Sequence, residues 1–171
     1  QEGGSAMMAE AYGKLTGKPG VCLVTRGPGA TNASAGIHIA MQDSTPLVML
    51  VGQVGREMMD REAFQEIDYR RMYGELTKWV AQIEDTSRIP EYISRAFHTA
   101  TSGRPGPVVL ALPEDMLTEY ADTKIINSYQ KIEAYPSPAD LAQVEEMLSK
   151  SKAPLVIVGG GGWDEDSCQK I

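Results

Sequence analysis

Glu2 stands directly ahead of Gly3-Gly4 and a run of helix formers, where a carboxylate can accept a hydrogen bond or a proton. Taken alone, that placement is what the positive end of a helix dipole favours. A second candidate is Gly27-Pro28-Gly29, which follows a short apolar run and precedes a helical one. Glycines at such a junction let backbone come close to a ligand, and the helix start offers N–H donors. No glycine-rich loop ending in Gly-Lys-Ser/Thr occurs, so the turn is not a P-loop. Gly159, Gly160, Gly161 and Gly162 repeat the arrangement after another apolar run, without the GxGxxG spacing of dinucleotide folds. Locally, ordinary strand–helix turns explain both runs. His38 and His98 are isolated in helical patterns and lack a Cys or Asp partner at ligand spacing. Asp43 with Glu62, Glu66 or Asp68 could make a carboxylate pair, but nothing in the spacing fixes their geometry. No Ser/His/Asp or Cys/His arrangement is recognisable. Cys22 and Cys168 make neither a disulfide framework nor a metal site.

The elements that must hold these groups alternate. Residues 5–15 are rich in helix formers and end at Thr16-Gly17 and Pro19. Residues 21–25 form a short apolar run of the kind used for a strand buried on both faces. Residues 30–41 predict a helix with Ala33, Ile37, Ala40 and Met41 on one side, and 47–51 a second buried strand. The charged stretch 55–74 is irregular, with a short helix around 63–73. Residues 78–83 predict a strand, 90–101 a helix with Pro90 in its first turn, and 108–112 a third apolar strand. This alternation predicts an α/β fold with an open, mostly parallel, doubly wound sheet over 1–116. Residues 117–136 read as a linker. The start of a second α/β domain follows at 137–171, with Ser137 capping a helix whose buried stripe is Leu141, Val144, Met147 and Leu148. Residues 155–158 predict its strand.

The 171 residues are 42% hydrophobic and 23% charged, which excludes wholesale disorder. Net charge is −7 with no Lys/Arg block, which disfavours nucleic acid or an anionic membrane as partner. No apolar run is long enough to span a bilayer, and a cytoplasmic location is expected. The chain starts at Gln1 without Met or signal peptide and ends just after a glycine run, so it is expected to be an internal piece of a longer polypeptide.

Taken in order, many blocks resemble the acetolactate synthase-like branch of the thiamine diphosphate-dependent enzymes. They are Glu2-Gly3-Gly4, Met8-Ala9-Glu10-Ala11-Tyr12, residues 17–25, Gly27-Pro28-Gly29-Ala30-Thr31-Asn32 and Asp43-Ser44-Thr45-Pro46-Leu47. Further along come Gly52-Gln53-Val54, Ala63-Phe64-Gln65-Glu66, Thr77-Lys78 and Gly103-Arg104-Pro105-Gly106-Pro107. The likeness implies most of a pyrimidine-binding domain, lacking its opening strand–helix–strand, then the start of a central domain. It also implies that Glu2 closes a strand and bonds N1′ of the cofactor's aminopyrimidine. That favours the imino tautomer, whose N4′ takes the C2 proton; the resulting ylid attacks a substrate carbonyl. A dry apolar site would keep the Glu2 proton mobile near neutral pH.

The resemblance further implies that Gln65 lies on the cofactor side and Phe64 on the substrate-facing wall, while the Gly27–Gly29 turn and Asn32 approach the pyrimidine. Ser44, Arg104 and Gly159, Gly160 and Gly161 fall where acetolactate synthases contact FAD; Ser44 can equally cap a loop and Arg104 brace its turn. Mg2+ would be bound with the diphosphate by a C-terminal domain, and no metal ligand is expected in this stretch. The implied reaction decarboxylates pyruvate or a related 2-oxo acid and adds the enamine to a second carbonyl. The implied assembly is a homodimer or homotetramer with its active site between subunits, so these residues alone are expected to be inactive. Three positions depart from the pattern. Glu114 replaces a typical lysine, Arg26 a small residue, and Gly55 a proline. The charge reversal at 114 is expected to alter which anionic acceptor is tolerated. Alternatives are a decarboxylase or lyase of another 2-oxo acid or acyl-CoA, and a non-catalytic flavin- or nucleotide-binding relative.

Overall fold

The computed structural model describes residues 1–161, 163 and 165–171, in two units, Gln1–Lys131 and Ile132–Ile171. In the first unit, α1 (Glu2–Thr16) is capped by Gln1, whose side chain accepts from the Gly4 N–H. It ends at Gly17, whose left-handed backbone returns its N–H to the Gly13 carbonyl. Then come β1 (Gly20–Val24), α2 (Pro28–Gln42), β2 (Leu47–Gln53), α3 (Tyr69–Tyr73), β3 (Trp79–Gln82), α4 (Ile89–Thr101) and β4 (Pro107–Pro113). Pro28 and Pro90 both sit in the first turn of their helices, where a missing N–H costs nothing.

The four strands are all parallel, in the order β1-β2-β4-β3. Because successive strand residues point to opposite faces, Met49, Val51 and Val109 serve one core while Val48, Val108 and Leu110 serve the other. The first core joins the sheet to Ala6, Ala9, Ala33, Ile37 and Ala40 of α1 and α2, and to Tyr69 and Tyr73 of α3. The second joins it to Ala96 and Ala100 of α4. Each fully buried Val or Leu contributes about 1.5–3 kcal/mol, so the sheet is the rigid base of the site.

Several expectations need correction. β1 is buried on one face only: Cys22 and Val24 are in the core, while Val21 and Leu23 are 47% and 69% exposed. The helix expected around 63–73 shrinks to α3, because left-handed turns at Asp60, Glu62 and Gln65 break any helix before it. In the second unit, Ser137 does cap α5 (Pro138–Lys150), in a reciprocal capping box with Asp140. Its apolar stripe is not buried, with Leu141, Val144, Met147 and Leu148 all exposed. Residues 155–158 form no strand; their backbone has no partner strand among the described residues, and their side chains are exposed. A short α6 (Glu165–Gln169) follows, and Gly162 lies outside the described residues.

Candidate active site

The C-terminal ends of β1, β2 and β4 all deliver candidate residues to one edge of the sheet, the side on which parallel α/β sheets bind ligands. After β1 the chain turns through Gly27, with φ 61° and ψ −115°, a conformation that only glycine adopts without strain. A Cβ there would lie 2.6 Å from the Cβ of Gln65. Two tyrosines from α3 fix the turn from beneath. The Tyr69 hydroxyl accepts from the buried Gly27 N–H at 2.9 Å, and the Tyr73 hydroxyl donates to the Ala30 carbonyl at 2.5 Å. Burial pushes the Tyr73 phenol up to about 12, so it stays a donor at physiological pH.

Glu2, in the first turn of α1, reaches the same place. Its Oε2 accepts from Asn32 Nδ2 at 3.3 Å, and a Cβ on Gly29 would meet its Cγ at 3.7 Å. Its own backbone N–H and Asn32 hold the carboxyl below the usual Glu range. In this chain the residue is half-exposed and is an anion at neutral pH. Both helix start and functional carboxylate are compatible with this position, since α1 begins at Glu2 itself.

Opposite the turn, the loop before α3 holds three left-handed non-glycine residues, Asp60, Glu62 and Gln65. Such backbone costs of order 1–3 kcal/mol per residue and persists only where surroundings over-determine it. Here Glu66 does so, accepting from the Asp60 N–H at 2.7 Å and the Ala63 N–H at 3.0 Å. The result presents Gln65, half-buried with its amide unbonded among the described residues, and Phe64, 77% exposed. Arg26 closes the ring. Its Nε donates to the Phe64 carbonyl at 3.1 Å and its Nη1 pairs with Glu114 Oε2 at 2.9 Å, so two departures from the family pattern meet each other. Glu2, Asn32, the Gly27-Pro28-Gly29 turn, Gln65 and Phe64 are thus neighbours. Sequence patterns alone missed Tyr69, Tyr73, the bracing role of Glu66 and the contact between Arg26 and Glu114; the i,i+4 tyrosines were the one visible signal.

Ser44 and Arg104 also meet, but elsewhere. Arg104 Nε donates to Ser44 Oγ at 2.7 Å, and its Nη2 to the carbonyls of Met41 and Gln42 at 3.1 and 3.0 Å. The guanidinium therefore ties off the C-terminal end of α2. Since the Gly27 turn lies at the other end of this helix, the two places are roughly 20 Å apart along it. Gly159, Gly160 and Gly161 belong to the second unit. The proposed acid pairs do not form around Asp43, which instead bonds Lys14. His38 is exposed, and the His98 ring lies edge-on to Tyr129.

An ionised carboxylate is fixed on one side by an amide, a cradle lacks a Cβ at Gly27, and an unbonded glutamine amide stands across it. Comparison with known proteins gives the family. Residues 1–72 match the family described as Thiamine pyrophosphate enzyme, N-terminal TPP binding domain. The chain is 39% identical over 166 residues to acetolactate synthase 3, chloroplastic, of Brassica napus, covering 94% of this chain and 26% of that protein. It is 40% identical over 164 residues to the acetolactate synthase large subunit of Lactococcus lactis subsp. lactis (strain IL1403), with 94% and 28% covered. For the acetolactate synthase isozyme 2 large subunit of Escherichia coli (strain K12) the identity is 38% over 160 residues, with 94% and 29% covered. The chain thus spans about a quarter of the length of these relatives. Its first unit belongs to the thiamine diphosphate-dependent enzymes, as an N-terminal domain of acetolactate synthase-like type.

Proposed function

We propose that these residues supply the pyrimidine side of the active site in an enzyme that decarboxylates a 2-oxo acid such as pyruvate. The same enzyme then joins the remaining carbon unit to a second carbonyl. The observation that supports this most is the meeting of Glu2 and Asn32 with the Gly27 turn and Gln65 at the C-terminal edge of the sheet. Thiamine diphosphate, when bound, supplies the nucleophilic carbon and the electron sink that decarboxylation requires. Glu2 exchanges a proton with N1′ of the aminopyrimidine, and Asn32 holds its carboxylate in one orientation. The turn lets backbone approach the ring, while Gln65 and Phe64 border the substrate.

Mg2+ and the diphosphate belong, in this proposal, to a further domain of the complete protein. Among the described residues no three His, Cys, Asp or Glu side chains are grouped to hold a metal. FAD binding by the complete protein is a further part of this proposal, tested by its visible absorbance. The enzyme is proposed to be a cytoplasmic homodimer or homotetramer. No helix among the described residues is long and apolar enough to cross a membrane.

The test is Glu2→Gln in the complete protein. The amide keeps the size and hydrogen bonding of the side chain but cannot exchange the proton. Exchange of the cofactor C2–H in deuterated buffer should slow by about 10²–10⁴-fold, while thiamine diphosphate affinity changes far less. Equal exchange rates in the two proteins would overturn the proposal.

A further inference from the structure

Arg26 and Glu114 lie 88 residues apart in sequence and reach each other across the end of β2, from the ends of β1 and β4. Two strand spacings make that span about 10 Å, so both long side chains are extended over the edge where the candidate site lies. Stability does not explain the arrangement. Glu114 is 62% exposed, and a rim pair of this kind contributes at most about 1 kcal/mol. Arg26 is the more buried partner, at 26%. Its Nε is fixed by the Phe64 carbonyl and its Nη1 by Glu114, while Nη2 has no hydrogen-bond partner among the described residues. A planar guanidinium held at two nitrogens with the third open is suited to receive a carboxylate.

We infer that Arg26 recognises the carboxylate of the 2-oxo acid, with Glu114 as an internal carboxylate that occupies it between turnovers. This rests on the function proposed above, because it assumes that the Glu2–Gln65 site binds thiamine diphosphate. Phe64 and Gln65 adjoin the Arg26 contact, which places the guanidinium beside the residues proposed to border substrate. Glu114 competes with the incoming anion for the same guanidinium. The two members of one ion pair therefore act in opposite directions on substrate affinity.

That opposition is the test, made in the complete protein with thiamine diphosphate, Mg2+ and pyruvate as probe. Arg26→Gln should raise KM for pyruvate by about 10-fold to 100-fold, the size of a lost charged hydrogen bond. Arg26→Lys should recover part of that loss, since charge remains but the fork does not. Glu114→Gln should lower KM, because the competing charge is gone. Cofactor C2–H exchange, which reports Glu2, should stay within about twofold in all three variants. A simple latch between loops would make Arg26→Gln and Glu114→Gln err in the same direction. That result, or an unchanged KM in Arg26→Gln with exchange intact, overturns the inference and leaves the proposed function standing. Absence of C2–H exchange in the unmutated protein overturns both.

Discussion

Two glycine-rich turns look alike in this sequence and are opposite in structure. Gly27-Pro28-Gly29 is buried at both glycines, pinned by the Tyr69 hydroxyl, and has no room for a methyl group against Gln65. Around Gly159, Gly160 and Gly161 a Cβ would meet nothing within 4 Å, although Gly160 also has a positive φ of 80°. The first turn is built by contacts from α1, α3 and the loop at Gln65; the second is open chain. Glycines therefore mark where backbone can bend, and only their neighbours show whether anything depends on the bend.

The sharpest way to break this contrast is to add a methyl group to each turn. Gly27→Ala must take φ 61° and displace Gln65, so a loss of about 1–3 kcal/mol or more is expected. Gly161→Ala should stay within about 0.5 kcal/mol. Urea midpoints of the complete protein check both, and similar shifts would erase the distinction. A comparable but smaller effect is expected from beneath the turn. Tyr69→Phe leaves the buried Gly27 N–H without its acceptor and should cost about 1–3 kcal/mol, with little change in overall packing.

Ion pairs extend the comparison to pH. Burial pushes the Asp115 carboxyl up, but the Arg56 guanidinium and the Arg56 and Met116 N–H groups outweigh it and hold it below the usual 3.8. A depressed carboxyl stabilises the fold above its unfolded pKa, and that stability is lost as pH falls through the folded value. Arg56→Met should therefore be less stable than the unmutated protein at neutral pH, and the gap should close in acid as Asp115 protonates. Thermal unfolding across that range reads it. Smallest of all, Lys150→Ala removes an exposed helical pair with Glu146 in the second unit and should change stability by about 0.5 kcal/mol or less.

The strands were legible because apolar runs such as residues 47–51 and 108–112 have no other stable use than a buried parallel sheet. Pro90 and Ser137 marked helix starts through chemistry that is local, whereas the helix expected from residue 30 starts two residues earlier, at Pro28. The same logic overstated β1 and residues 155–158, since an apolar run records that a side chain can be buried, not that a neighbour covers it. In the site, Glu2 and Gln65 carried no local signal and were found through the order of blocks around them. Tyr69, Glu66 and the Arg26–Glu114 contact depend on groups brought together across tens of residues, which spacing along a chain does not encode. For Arg104 the structure adds what the sequence left open, contacts of its guanidinium with the carbonyls that end α2.

β4 lies between β2 and β3 although it is the last of the four strands to be synthesised. β1, β2 and the helices packed on them can assemble as they leave the ribosome, yet β2 then presents a bare edge. Translation at about 5–20 residues per second leaves roughly three to ten seconds between completing β2 and starting β4. During that interval the edge that later joins the sheet is a template for pairing with another nascent chain. The arrival of residues 107–113 is therefore the commitment point of folding for this unit, and the pairings it makes with both β2 and β3 are the non-local contacts that slow it.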